Sequence, residues 1–490
     1  MSNNKNRISS KIELNFLQNP KFVILSDSTK KYSWEDLDTL TNFYANIILE
    51  KQKKKLVFYA DRSITSVALI VACIKNNITF VPISRDQPNE RIIEILNLIS
   101  EYDVFDPREN TFTKILENVK YPGTDLAGVL YVLFTSGSTG SPKGVMISED
   151  NLLNTLSWSK HIWNWHENDV VGIVTPLYFD ISIFDLLLGL TEQIKLYIFS
   201  QTNNCIGFCQ ELQNSNVTSM FSTPSLFSNI SSMDQADLVK TSSLRRIISG
   251  GDFFPAVDLI YWYKNFPDLQ IYNVWGPTET SIVNSAHKVT AKDIERVKDD
   301  KPISIGKSTK EMKIVLCEPN SEDVKLIESD SKIGELLVQG DSVGMGYVNQ
   351  DDLTQKSFIT IFGKSTYRTG DLGFTENGEI FMTGRDAHLI KYQGFRIDPR
   401  EVETHIAKFE GVKNSCLILA DRNTGNSELV LIIEQMANFQ SNISEIKMYL
   451  RSKVPPYMIP KKIIFYDKIP FNINGKLDRK KCALLYSVED

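Results

Sequence analysis

The chain is 490 residues long, well beyond the size of one compact domain, so two or more domains with their own cores are expected. A hydrophobic share of 42% with 23% charged residues describes an ordinary globular protein. A net charge of −6 and an isoelectric point near 5.6, without any long basic run, argue against a polyanion-binding surface, so nucleic acid is not an expected partner.

In chain order, Met1 to Leu14 is polar and charged, with no hydrophobic signal core. A strand is expected over Lys55 to Tyr59. An apolar stretch around Val67 to Ile74 follows, the longest in the chain and too short to span a bilayer. No membrane association is therefore expected, and the protein is assigned to the cytoplasm. A second strand, from Phe80 to Ile83, and a helix over Arg91 to Ile99 come next. A further helix is expected over Asp150 to Trp158, then a strand over Val170 to Val174. This alternation of β-branched runs and helical stretches argues for an α/β architecture with stacked, mainly parallel sheets. Between Gly334 and Tyr347 closely spaced strands and glycines suggest a β-rich subdomain. From Arg385 onward the pattern changes to a glycine turn at Gly394, a helix over Asp398 to Ile406, two strand-like runs and a lysine-rich tail. The expected division is a large domain of residues 1–386 and an α+β domain of residues 387–490, about a hundred residues. Six cysteines (Cys73, Cys205, Cys209, Cys317, Cys416 and Cys482) form no CxxC pair and are expected as reduced core thiols.

The segment Leu133 to Val145 reads Leu-Phe-Thr-Ser-Gly-Ser-Thr-Gly-Ser-Pro-Lys-Gly-Val. Its glycines let backbone approach phosphate closely. The hydroxyls of Thr135, Ser136, Ser138 and Thr139, the amides of Gly137 and Gly140, and the Lys143 ammonium supply donors to anionic oxygens. The Gly-Lys-Ser/Thr ending of a Walker loop is missing. A flexible linker would have the same composition, but not this ordered string between two strand-like runs.

The string resembles the signature loop of the adenylate-forming superfamily, and the resemblance extends over almost the whole chain. Tyr32-Ser-Trp-Glu-Asp-Leu and the run from Phe80 to Arg91 are similar to the first motifs of amino-acid adenylation domains of nonribosomal peptide synthesis. Phe179-Asp-Ile-Ser, Asn273-Val-Trp-Gly-Pro-Thr-Glu-Thr, Gly334-Glu-Leu-Leu-Val-Gln-Gly, Tyr367-Arg-Thr-Gly-Asp-Leu, Gly384-Arg, Lys391-Tyr-Gln-Gly-Phe-Arg, Pro456-Tyr-Met-Ile-Pro and Asn474-Gly-Lys-Leu-Asp-Arg follow in the family's order.

The resemblance implies in-line attack of a carboxylate on the α-phosphorus of ATP with release of pyrophosphate, then transfer to a carrier thiol. It assigns Glu279 to Mg²⁺, a hard cation that accepts carboxylate and phosphate oxygens. Thr278 matches the α-phosphate hydroxyl, and Asn273 the amide on adenine. Trp275 stands where the family has a tyrosine stacking on the base, so an aromatic face is kept. Gly251 falls in the nucleotide set, Asp371 matches the ribose carboxylate, and Arg385 assists there. Lys476 matches the lysine bridging the attacking carboxylate and the phosphoryl oxygen, a point charge suited to that transition state. The mobile C-terminal domain of the family turns about a hinge whose register gives Ala387, with Asp386 one position early. The loop holding Lys391 and Gly394 would then line the thiol tunnel.

Asp180 matches the aspartate that holds a substrate α-ammonium, and a buried carboxylate needs such a countercharge. A helix-capping role is its structural alternative. The pocket positions transferred from the family are Asp180, Ile181, Phe184, Phe221, Ile248, Gly250, Val274, Ile282, Val283 and Lys476. All between the two charged ends are apolar, which implies an aliphatic amino acid such as valine, isoleucine or leucine, with proline or alanine open. Such pockets separate substrates by only about 1–3 kcal/mol per methylene. No carrier-protein or condensation motif is present, so a peptidyl carrier protein with a phosphopantetheine arm is expected in trans. The alternatives are an acyl-CoA ligase, a D-alanine to carrier protein ligase, and an inactive nucleotide-binding paralogue. The hinge, and Asn76-Asn77 where the family has a glycine, are departures from its pattern.

Overall fold

The computed structural model describes residues 7–121, 123–135, 141–202, 204–233, 235–299, 301–309, 312–319, 324–385, 390–421, 427–436, 442–470, 477 and 479–489, without the side chains of 385, 391, 396, 421, 480 and 487–489. Ser136, Gly137, Ser138, Thr139, Gly140, Asp386, Ala387 and Lys476 lie outside the described residues.

Two helices lack a polar face. In Ile64–Lys75 every residue from Ser66 to Ile74 is buried, and in Asp180–Glu192 every residue from Ile181 to Thr191. A helix apolar on all sides must be covered on all sides. Both belong to one core shared by two sheets, with the amphipathic helices Trp34–Glu50 and Glu149–Trp163 packed into it. Ser33 with Asp36, and Ser148 with Asn151, form capping boxes that start those two helices.

One sheet runs Ser285–Lys288, Gln270–Trp275, Arg246–Ser249, Ser219–Ser222, Val170–Ile173, Lys195–Ile198, Val23–Ser26 and Lys31–Ser33. Its centre is parallel and its two edge pairs antiparallel. The second has Thr79–Ile83 and Lys55–Tyr59 at its parallel centre, with Val129–Thr135 and Lys143–Ser148 alongside as an antiparallel pair flanking the phosphate loop. Stacked, mainly parallel sheets are thus present as expected. The β-rich part is wider than Gly334 to Tyr347: an antiparallel sheet takes strands from Ser304–Gly306 to Glu379–Arg385.

The small C-terminal domain holds more than expected, including helices Ile443–Arg451 and Arg479–Glu489. Beyond Val412–Asp421 and Ser427–Gln435 it has a third strand, Lys462–Tyr466, parallel to the second. Flanking lysines give Lys462–Tyr466 the look of a basic tail, although its Ile463 is buried. The Asn76-Asn77 departure is benign for the backbone, because Asn77 takes φ +53, the left-handed conformation a glycine would supply.

The small domain docks on the large one through buried groups. Arg91, at 2% exposure, pairs with Glu401, at 0%, and Lys453 pairs with Glu90. Phe395 stacks on Tyr457 at 4.0 Å and meets Phe179 edge-on at 5.4 Å. Glu401→Ala removes the carboxylate bonded to a buried guanidinium, which costs about 3–5 kcal/mol. Faster amide exchange is expected in the hairpin Ile390–Tyr392/Phe395–Ile397 of that variant. Unchanged exchange would show that this pair does not hold the small domain in place.

Candidate active site

Four parallel strands of the first sheet present their carboxyl ends to one cavity of about 650 Å³. Val174 to Pro176 follow one strand, Thr223 a second, Gly250 to Phe254 a third, and Gly276 to Thr278 the fourth. A crevice at that end of a parallel sheet is the usual place for a ligand. Gly250 is there for space, since a Cβ would stand 2.6 Å from Val274 Cγ2. The small domain closes one side with Gln393, Gly394, Phe395 and Tyr457. A Cβ at Gly394 would meet Thr223 at 2.4 Å, so only glycine lets this hairpin approach so closely.

Asp180 is the first residue of its helix and not the cap, which is Phe179. Its Oδ1 accepts from the Ile181 amide at 2.8 Å and its Oδ2 from the Thr278 hydroxyl at 2.6 Å. It meets solvent through the cavity, and its surroundings are otherwise protein. That burial pushes its carboxyl above the usual range, with the Glu279 charge adding to the rise and the Thr278 and Ile181 bonds opposing it.

Thr278 and Glu279 lie in a 3₁₀ turn, Thr278–Thr280, that is braced from several sides. Asn284 donates to the Thr280 carbonyl at 2.9 Å and to Ser342 Oγ at 3.2 Å, its amide N–H donates to Trp275 O at 2.9 Å, and Ser281 Oγ donates to the Ser342 carbonyl at 2.9 Å. Ser281 and Ile282 follow at φ +61 and +84. A β-branched residue in that region carries roughly 1–3 kcal/mol of strain, and Ile282 lines the cavity.

Glu279 is fully buried and is not on the cavity wall. Its Oε1 accepts from the Tyr347 hydroxyl at 2.8 Å, and Tyr347 meets the Tyr367 hydroxyl at 3.1 Å. The Lys143 ammonium stands 5.6 Å over the Tyr347 ring. Trp275 Nε1–H donates to the buried Asp371 carboxylate at 2.9 Å, and Asn273 donates to the Ser304 carbonyl at 2.8 Å.

Of the residues singled out from the sequence, Thr135, Asp180, Ile181, Phe221, Gly250, Gly251, Asn273, Val274, Trp275, Thr278, Ile282 and Gly394 line this cavity. Phe184, Ile248 and Val283, expected on the substrate wall, are buried in the core and absent from that wall. Phe184 packs behind Phe221, with ring centres 6.0 Å apart. Asp371 and Lys143 are joined to the site through Trp275 and Tyr347. The backbones of Arg385 and Lys391 lie in strands, Arg385 opposite Asp371. The aromatic pair Phe395 and Tyr457 and the phenol of Tyr347 escaped the sequence reasoning. Tyr347 closes the glycine-rich β segment, which is the one sign that could have drawn attention to it.

Residues 99–348 match the model of a family described as AMP-binding enzyme. The chain belongs to the AMP-binding enzyme family. The adenylate-forming resemblance therefore holds. A D-alanine–D-alanyl carrier protein ligase of Bacillus licheniformis is 30% identical over 453 residues, covering 87% of this chain and 88% of that protein. Bacitracin synthase 3 of Bacillus licheniformis is 28% identical over 477 residues, which are 92% of this AMP-binding chain and 7% of the synthase. In fold, the chain matches the Vibrio cholerae adenylation domain AlmE, crystallised with glycyl-adenosine-5'-phosphate, at a TM-score of 0.84 and 19% identity over 98% of both chains. No described helix is long and apolar enough to cross a membrane.

A carboxyl whose folded pKa is raised binds its proton more tightly when folded, so its ionisation costs stability as pH climbs past the ordinary aspartate value of about 4. Asp180→Asn should therefore be more stable than the native protein without ligands. The gap should widen from pH 4 upward in chemical unfolding, whereas a constant gap would mean that Asp180 titrates normally.

Proposed function

We propose that this enzyme activates the carboxylate of a small or medium apolar amino acid with ATP and passes the acyl group to the phosphopantetheine thiol of a separate carrier protein. The observation that carries this reading is one half-buried carboxylate, Asp180, in a cavity walled beside it by Ile181, Phe221, Val274 and Ile282. A poorly solvated anion among apolar side chains calls for a cationic ligand group, and the wall suits an aliphatic side chain. The name of one relative, a D-alanine–D-alanyl carrier protein ligase, agrees with an amino acid and a carrier.

In the first half-reaction a substrate carboxylate oxygen attacks the α-phosphorus, and the bond to the bridging oxygen breaks, releasing pyrophosphate. Thr278 donates to the α-phosphate. Residues 135–140 and Lys143 hold the outer phosphates, with Gly251, Asn273 and Trp275 around the base and Asp371 and Arg385 at the ribose. Glu279 suits Mg²⁺ in its chemistry, a single hard carboxylate set beside the phosphate site, and the ion would supply charge neutralisation there. Lys476 bridges the two reacting anions. In the second half-reaction the thiol sulfur attacks the acyl carbon, AMP leaves with the electron pair of the broken bond, and the thiol proton is released. A boundary and hinge at Asp386–Ala387 would let residues 387–490 serve both steps, with Lys391 and Gly394 at the thiol tunnel. A cytoplasmic location belongs to this reading, with the cysteines kept as reduced thiols.

D-Alanine is the second reading for the substrate, favoured by the end-to-end match with the D-alanine ligase. Amino-acid-dependent pyrophosphate release, measured across L- and D-amino acids and their deaminated analogues, separates these readings. Aliphatic amino acids should stimulate release. The analogues without an amino group should not, and Asp180→Ala should lose about 100-fold in kcat/KM, the usual scale for stranding one member of a buried ion pair. Stimulation by the deaminated acids alone would sink the amino-acid assignment. Lys476→Ala should slow adenylate formation by orders of magnitude, yet leave thiol acylation from preformed aminoacyl-AMP largely intact. Near-normal pyrophosphate release by that variant would remove Lys476 from the chemistry.

A further inference from the structure

Asp180 and Thr278 lie 98 residues apart and touch across one cavity, with the threonine hydroxyl 2.6 Å from Oδ2. Under the function proposed above, they serve different ligands: the carboxylate takes an ammonium and the hydroxyl a phosphoryl oxygen. A threonine hydroxyl has a single proton to donate. In the structure that proton goes to Asp180, whose other oxygen is held by the Ile181 amide.

If a nucleotide takes the Thr278 proton, a half-buried, poorly solvated carboxylate loses one of its donors, which costs more than losing a fully solvated hydrogen bond. An ammonium ligand brings its own N–H donors to Asp180 and removes that cost. The turn carrying Thr278 is cross-braced through Asn284 and Ser342, so the proton is redirected by rotation of a hydroxyl without movement of the backbone.

We propose that Thr278 is a shared donor that couples the two halves of the cavity, so that an ammonium ligand on Asp180 and a nucleotide on the phosphate side each tighten the other. The proposal rests on the amino-acid reading of the site and adds to it a binding synergy carried by one hydroxyl. The coupling is reciprocal, as any equilibrium linkage must be.

The test is calorimetry on the full-length protein with an α,β-methylene analogue of ATP. Its partner ligand is the amino alcohol of the preferred amino acid, which keeps the ammonium and has no carboxylate to repel the phosphates. Each ligand is titrated alone and with the other saturating. The native protein should show a roughly tenfold tightening of both, the equal of about 1.4 kcal/mol. Thr278→Ser should keep the effect and Thr278→Val should reduce it to within twofold.

Independent binding of both ligands to the native protein overturns the shared donor and leaves the amino-acid reading standing. Full coupling retained in Thr278→Val also overturns it. Failure of the amino alcohol to bind, while the nucleotide analogue does, overturns the amino-acid reading and the shared donor with it.

Discussion

The structure is organised by the need to cover two helices that have no polar side. Ile64–Lys75 and Asp180–Glu192 can exist only inside a shared core, and the two sheets that enclose them bring a row of parallel strands to a common edge. The cavity lies at that edge, with Thr223 and Thr278 just past two of the strands and Asp180 at the first residue of a covered helix. Asp180 is thus held at the border of an apolar core, where a carboxylate is both rigid and poorly solvated, and that combination suits it to recognise a cation.

Much of this was legible from local sequence. The alternation of β-branched runs with helical stretches gave the α/β class because each element buries its own apolar positions. The glycine and hydroxyl string gave the phosphate loop because few other roles need that order of residues. Asp180, Thr278 and Trp275 were found through the short motifs around them, and the structure brings all three to one cavity.

Contacts made at long range were not legible. Phe184, Ile248 and Val283 carry the same apolar character as true wall residues, and only the three-dimensional register separates a side chain facing a cavity from one facing the core. The ties from Tyr347 to Glu279 and from Trp275 to Asp371 bridge segments 68 and 96 residues apart, with nothing in either segment naming the other. The Arg91–Glu401 pair spans 310 residues and joins two domains, so no periodicity or spacing could have disclosed it. The third strand of the small domain was hidden by the lysines in and around it, although the strand itself is paired.

Ile282 combines two properties that are normally found apart. It lines the cavity, and it holds a backbone conformation that a branched side chain resists. Any effort to widen the chamber by shortening this residue would also relax the chain that carries it, glycine most of all. At this one position a change made for selectivity is also a change in backbone strain and in core packing, so folding and selectivity are written in the same letter.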